Sequence, residues 1–147
     1  MELMGGASSA MAVGLAAAFV GLARAAFEQA LAYSGERVSW GVPIRRHQAV
    51  GLKLADAAVD LQTARLLVWD AAAAVDRGDP AAGWKVAAAK THAVDVAIAN
   101  AERAVQVHGG AGVSRGVGPE KLLRDAWTGY SCDFTRDVLR LNITEML

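Results

Sequence analysis

Apolar residues step along the middle of the chain at alternating intervals of four and three: Val50, Leu54, Ala57, Leu61, Ala64, Val68, Ala71 and Val75. This is the spacing of a helix that keeps one seam against its neighbours in a bundle, and it predicts a helix over residues 45–76. Arg77-Gly78-Asp79-Pro80 ends that helix, with glycine at its C-terminal cap and proline just beyond. Ahead of it, residues 8–37 read as a first helix with Ser8 or Ser9 as its N-cap. Phe19, Leu22 and Ala26, together with Val20, Phe27 and Leu31, put apolar side chains on more than one face, the mark of a buried helix. Gly14 and Gly21 are placed to let a neighbouring helix come close. Residues 39–43 form a turn, after which Pro43 starts the next segment.

A third helix is predicted over residues 81–107, with Val94, Ile98, Ala101 and Val105 as its stripe. Gly109-Gly110 stops it, and a glycine-rich loop runs to Gly118. Pro119 opens a short helix over 120–127, a break falls near 129–132, and a last helix runs from 134 to the end. No strand pattern, tandem repeat or linker is visible. The expected fold is all-α, a single domain over residues 1–147: an up-down four-helix bundle with a broken fourth helix.

Charge and composition then narrow the partners. Lys plus Arg is 15 and Asp plus Glu is 15, for a formal net charge of +0. Nucleic-acid binding rests on a positive excess that is missing here. Hydrophobic residues make up 54% of a 147-residue chain, so part of its surface is expected to be covered by a partner. Cys132 is the one cysteine and cannot form an internal disulfide, which suits a reducing cytoplasm. The uncharged run from Ala10 to Ala23 falls short of the roughly 20 apolar residues of a bilayer span. Only Glu2 precedes it where a signal peptide carries basic residues, so the run reads as the core face of a helix. His47 and His92 have no metal-ligand spacing around them, and no metal is expected.

The candidate chemistry centres on Gln106-Val107-His108-Gly109-Gly110-Ala111-Gly112 and the Arg124-Asp125-Ala126 that follows. A helix stop needs one glycine. Three in a row of seven mark backbone that comes close to another chain or a ligand.

These segments do not stand alone. Residues 33–44 (YSGERVSWGVPI) are followed by His47-Gln48, Leu54-Ala55-Asp56, Ala64-Arg65, Ala89-Lys90, the glycine cluster and Leu123-Arg124-Asp125-Ala126. In this order and spacing, from about Ala16 onward, the chain resembles the C-terminal helical domain of the flavin-dependent acyl-CoA dehydrogenases. The resemblance implies the last third of a complete member, without the N-terminal helical and middle β domains. It also implies FAD in the complete protein, an acyl-CoA substrate, and a homodimer or tetramer built through the bundle.

The resemblance further assigns residues. Arg37 matches an arginine that reaches the FAD diphosphate of the neighbouring subunit, a task suited to a guanidinium fork. Trp40 takes the place of an aromatic by the adenine end, and Gln48 that of a glutamine facing the same cofactor half. Gln106, Gly109 and Gly110 match a segment that approaches the FAD of the other subunit, where backbone without Cβ can touch a phosphate. His108 matches a framework residue. Arg124 and Asp125 read as structural, pairing or capping around the broken helix. Val113 replaces a common aromatic, and Pro119 falls one place late.

At the catalytic position the family carries Glu-Gly-Thr; this chain carries Asp133, Phe134 and Thr135. Asp133 is the candidate base for removing a proton from the α carbon of the thioester, and Thr135 joins the cofactor-binding set. Asp133 is also a candidate N-cap of the last helix. The alternative position on the first helix, Ser9-Ala10-Met11-Ala12, has no carboxylate. Two functions follow: the FAD- and subunit-contacting part of an acyl-CoA dehydrogenase, or a non-catalytic helical oligomerisation module that binds no flavin by itself.

Overall fold

The computed structural model describes residues 6–147, with side chains from Ser8 onward; the expectation resting on Glu2 lies outside the described residues. Among the described residues five α-helices make the bundle: α1 (Gly6–Glu36), α2 (Gln48–Asp76), α3 (Ala82–His108), α4 (Pro119–Trp127) and α5 (Arg136–Met146). The central helix is α3, which packs on all four others, while α1 and α2 also pack on each other. α4 and α5 share the fourth position, broken between them by a 3-10 turn over Thr128–Tyr130 and by residues 131–135. Short connections between long packed helices give the up-down order.

The seam on α2 is observed as its spacing predicts. Leu54, Ala57, Leu61, Ala64, Val68 and Ala71 are buried, and the seam ends on Ala74, with Val75 half-buried. On α3, Val94, Ile98 and Ala101 are buried, but so are Ala93, Val96, Ala97 and Ala104, because neighbours surround this helix. Much of the core is alanine. Ala12, Ala16, Ala23, Ala26 and Ala30 line the inner face of α1, and such small side chains let helix axes approach closely. Gly129 extends the same logic: a Cβ there would sit 2.8 Å from Val94 and 2.9 Å from Phe19, so the broken fourth helix rests its backbone directly on the core.

Several expectations are corrected. Ser8 and Ser9 lie inside α1 rather than capping it. The helix is buried on one face only: Met11 and Leu31 are exposed, as are Gly14 and Gly21, and nothing within this chain lies within 4 Å of a Cβ built on either glycine. Apolar residues around the whole circumference therefore do not mean burial within one chain. Taken whole, α1 is also long and apolar enough to cross a membrane by length and composition, which the shorter run from Ala10 to Ala23 did not suggest. Its Ala-lined face packs on α2 and α3. The turn before α2 contains a strand pair after all: β1 (Val38–Ser39) pairs antiparallel with β2 (Val42–Pro43), with Val38 opposite Pro43 and Ser39 opposite Val42. A 3-10 turn over Ile44–Arg46 then leads into α2, and the last helix starts at Arg136, two residues later than expected.

Candidate functional site

The residues singled out by sequence fall into two groups, at opposite ends of α3. At its C-terminal end the Tyr33 ring stacks on His108, with centroids 4.2 Å apart and planes at 22°. The stack ties the last turn of α1 to the last turn of α3. His108 is buried, and its Nδ1–H donates to the Ala104 carbonyl at 2.8 Å, so it serves the framework.

Beside this stack the chain leaves α1 at Arg37 and turns through the β1–β2 hairpin. Trp40 and Gly41 occupy the turn with φ of 53° and 79°, the pair of left-handed residues that a tight hairpin of this hand requires. Glycine adopts that conformation freely. For a tryptophan it stores about 1–2 kcal/mol, and here the indole is 94% exposed and packs on nothing. A large aromatic held strained in solvent points to a role outside the fold. Arg37, Arg45, Arg46 and Gln48 are exposed around it. None of these arginines has an ion-pair partner among the described residues. His47 braces the hairpin, its Nε2–H donating to the Ser39 carbonyl at 3.2 Å. Arg45 and Arg46 are additions that sequence reasoning passed over; the signal was three arginines within ten residues of one turn.

Gln106, Gly109 and Gly110 are exposed at the same end. A Cβ on Gly109 or Gly110 would meet no heavy atom within 4 Å, and Gly109 has φ of 60°. Gly112 differs: its Cβ would lie 2.4 Å from the Val105 carbonyl oxygen, so this glycine serves a close approach inside the chain. Unpaired guanidinium groups and bare backbone suit phosphate oxygens, and an exposed indole suits a flat aromatic ring. The donor set fits one half of a dinucleotide cofactor.

The second group lies near the N-terminal end of α3. Asp133 has φ of 60°. Its backbone is exposed, but its side chain is turned inward at 17% exposure, with Oδ2 3.0 Å from the Lys90 ammonium. Asp133 is therefore not the N-cap of α5. Thr135 caps that helix, its Oγ1 accepting from the Val138 N–H at 3.5 Å. Arg136 anchors the start of α5 to α3 through a two-toothed ion pair with Asp95, both contacts at 2.7 Å. That hydrogen bond, above all other influences, holds the Arg136 guanidinium above its ordinary pKa. Arg136 also lies 5.5 Å over the Tyr130 ring, which stacks on Trp127 at 5.2 Å. Arg124 and Asp125 pair as structural residues, with Glu120 and Lys121 one turn back.

Lys90 and His108 are 18 residues apart on one helix, which at 1.5 Å per residue separates the two groups by about 27 Å. The fold does not bring Asp133 and Thr135 to the Arg37–Gly110 end. A groove of about 250 Å³ lies between α1 and α2, lined by Ala17, Val20, Gly21, Arg24, Arg65, Val68 and Trp69, none of them assigned to the cofactor or the reaction. Among the described residues there is no cluster of three or more metal-ligating side chains.

Comparison with known proteins gives this geometry a family. Residues 2–147 match the family model described as acyl-CoA dehydrogenase, C-terminal domain. The chain is similar to an acyl-CoA dehydrogenase of Bacillus subtilis, 39% identical over 135 residues, covering 92% of this chain and 35% of that protein. Among solved structures it resembles butyryl-CoA dehydrogenase from Megasphaera elsdenii, with a TM-score of 0.88 and 34% identity over 91% of this chain and 35% of that one. It also resembles PigA solved with FAD and proline, with a TM-score of 0.88 and 25% identity over 92% of this chain and 35% of that one. The chain thus spans about a third of the length of these proteins. By sequence and by fold, it belongs to the acyl-CoA dehydrogenase family and corresponds to that family's C-terminal domain.

Proposed function

We propose that this bundle is one domain of an FAD-dependent acyl-CoA dehydrogenase, in which it supplies cofactor contacts across a subunit interface. The observation that carries this is the end formed by Arg37, Trp40, Gln48, Gln106, Gly109 and Gly110: unpaired cations, strained exposed indole and bare glycine backbone held together by the Tyr33–His108 stack. Gly109 also ends α3, but the unpaired arginines, the exposed indole and the bare Gly110 are not needed by the bundle. The guanidinium of Arg37 would hold the diphosphate, Trp40 would cover the adenine, and Gln48, Gln106 and the glycines would line the path between. FAD, when bound, supplies the hydride acceptor for α,β-dehydrogenation of an acyl-CoA thioester. Asp133 is the proposed base; with Oδ2 on Lys90, it would take the α proton on Oδ1. Thr135 would present its remaining polar atoms to the same cofactor.

The 27 Å separation estimated from α3 favours a shared arrangement. One protomer's Asp133 and another's Arg37 end would then serve the same cofactor, in a homodimer or homotetramer. Exposed Leu52, Val59, Leu66 and Trp69 on α2 supply apolar surface for such an assembly. Unpaired Cys132 fits a cytoplasmic setting.

The second reading, a non-catalytic oligomerisation module, draws on Asp133 being shorter than the family glutamate and engaged with Lys90. FAD titration of the purified chain, with solution mass read on the same sample, separates the two. The first reading expects an oligomer that binds FAD and loses at least tenfold affinity with Arg37→Ala. A well-folded oligomer with no FAD binding selects the second.

A further inference from the structure

Lys90 is among the largest side chains buried below 2% exposure, a place lysine almost never takes without partners. An ammonium has three N–H donors and no acceptor. Here the three find three acceptors on one tripeptide: the Cys132 carbonyl at 3.0 Å, Asp133 Oδ2 at 3.0 Å and the Phe134 carbonyl at 3.3 Å. The left-handed kink at Asp133 lets the two flanking carbonyls converge on one point. Among the described residues no backbone–backbone hydrogen bond joins residues 132–134 to a neighbouring helix; the backbone bonds nearby close the local turn at Thr128 and open α5. The buried cation is thus the tie between this segment and α3.

We propose that Lys90 is a positioning residue for the Cys132–Phe134 turn: it sets the backbone there and aims the Asp133 carboxylate. The proposal rests on the reading of Asp133 as the base only for its consequence in turnover, not for the tie itself. Lys90 orders the turn in two ways. Its two backbone contacts hold the main chain whatever side chain occupies position 133. Its third contact takes Oδ2 and leaves Oδ1 without a hydrogen bond among the described residues. A shorter carboxylate than the family glutamate is thereby kept in one orientation rather than left to swing at the surface.

The test is amide hydrogen exchange of the full chain, comparing Lys90→Met with Asp133→Gly. Methionine keeps the volume and removes the donors. Glycine keeps both backbone acceptors, removes the carboxylate and suits the positive φ. Lys90→Met is expected to speed exchange across 131–138 at least tenfold while α3 stays protected; Asp133→Gly is expected to leave that segment within threefold of the parent. Equal effects of the two variants, or no change with Lys90→Met, overturn the proposal. If Lys90→Met unfolds the bundle, Lys90→Gln decides instead: partial protection of 131–138 supports the tie, and parent-like protection overturns it.

In the complete dehydrogenase, Lys90→Met is expected to lower kcat at least tenfold with KM for the acyl thioester within twofold, because orientation rather than substrate binding is lost. A parallel fall in both, or neither, overturns the positioning role. If Asp133→Ala leaves turnover unchanged while Lys90→Met still loosens the turn, the tie is supported and the assignment of Asp133 as base fails.

Discussion

The glycines of the Gly109–Gly112 cluster make separable predictions. At Gly112 an added Cβ would lie 2.4 Å from the Val105 carbonyl oxygen, 2.9 Å from its Cα and 3.0 Å from its carbonyl carbon. All three are backbone atoms of α3, so no rotamer change relieves them; the 3-10 turn must move outward by roughly 1 Å. Overpacking of this kind costs about 1–3 kcal/mol, and the rigidity of the neighbour places Gly112→Ala near the upper end, about 3 kcal/mol. For a domain of this size that lowers the Tm by roughly 6–12 °C. Gly110 meets nothing within 4 Å and has no positive φ, so Gly110→Ala reduces unfolded-state freedom and is expected to stabilise by about 0.4–1 kcal/mol. Urea and thermal unfolding of both variants, followed by circular dichroism, measure the difference directly. Melting of Gly112→Ala within about 0.5 kcal/mol of Gly110→Ala would refute the close-approach reasoning, since only the contact to Val105 separates them. Flavin titration of the same samples adds the converse: Gly110→Ala is expected to fold well and bind FAD less tightly.

Other consequences follow from single residues. Trp40→Gly removes about 1–2 kcal/mol of left-handed strain but adds unfolded-state freedom worth about 0.4–1 kcal/mol, so stability is expected to rise by no more than about 1 kcal/mol while FAD binding weakens; a loss of more than about 1 kcal/mol in denaturant titration would show that the indole does support the fold. Asn100 is buried, donating to the Ala57 carbonyl at 3.1 Å and accepting from Arg103 at 2.8 Å. Asn100→Leu removes both bonds, while the Ala57 carbonyl stays within α2 and Arg103 keeps its ion pair with Asp60, so the expected cost is about 1–2 kcal/mol, read from the urea midpoint; a neutral result would show that these two bonds do not help hold α2 to α3.

The long helices were legible because their signal is local. The seam from Leu54 to Ala71 is a repeat that any three consecutive turns of α2 display, and the stops at Gly78 and Gly109 need only the backbone freedom of a glycine. The strand pair at Val38–Ser39 escaped notice because two residues carry no alternation to read. Position alone makes Asp133 a possible helix cap. Its positive φ and its partner on α3 depend on a contact 43 residues away in sequence. Lys90 stood in a recognisable Ala89-Lys90 pair, yet a lysine on an alanine-rich helix reads as solvated until the turn that accepts its three hydrogen bonds is in place.

Local periodicity, caps and ordered motifs therefore carried the helix count, the seam and the family from the chain alone, since each depends on neighbours within a few turns. Packing decided the rest: which glycine of the cluster serves the fold and which stands bare, that α1 buries a single face, that Lys90 ties down the Asp133 turn, and that the candidate residues divide between two ends of α3. Apart from the Gly112–Val105 approach, seven residues apart, those facts come from pairs far apart in sequence, and an alanine, a glycine or a lysine carries the same local signal whether or not another segment lies against it.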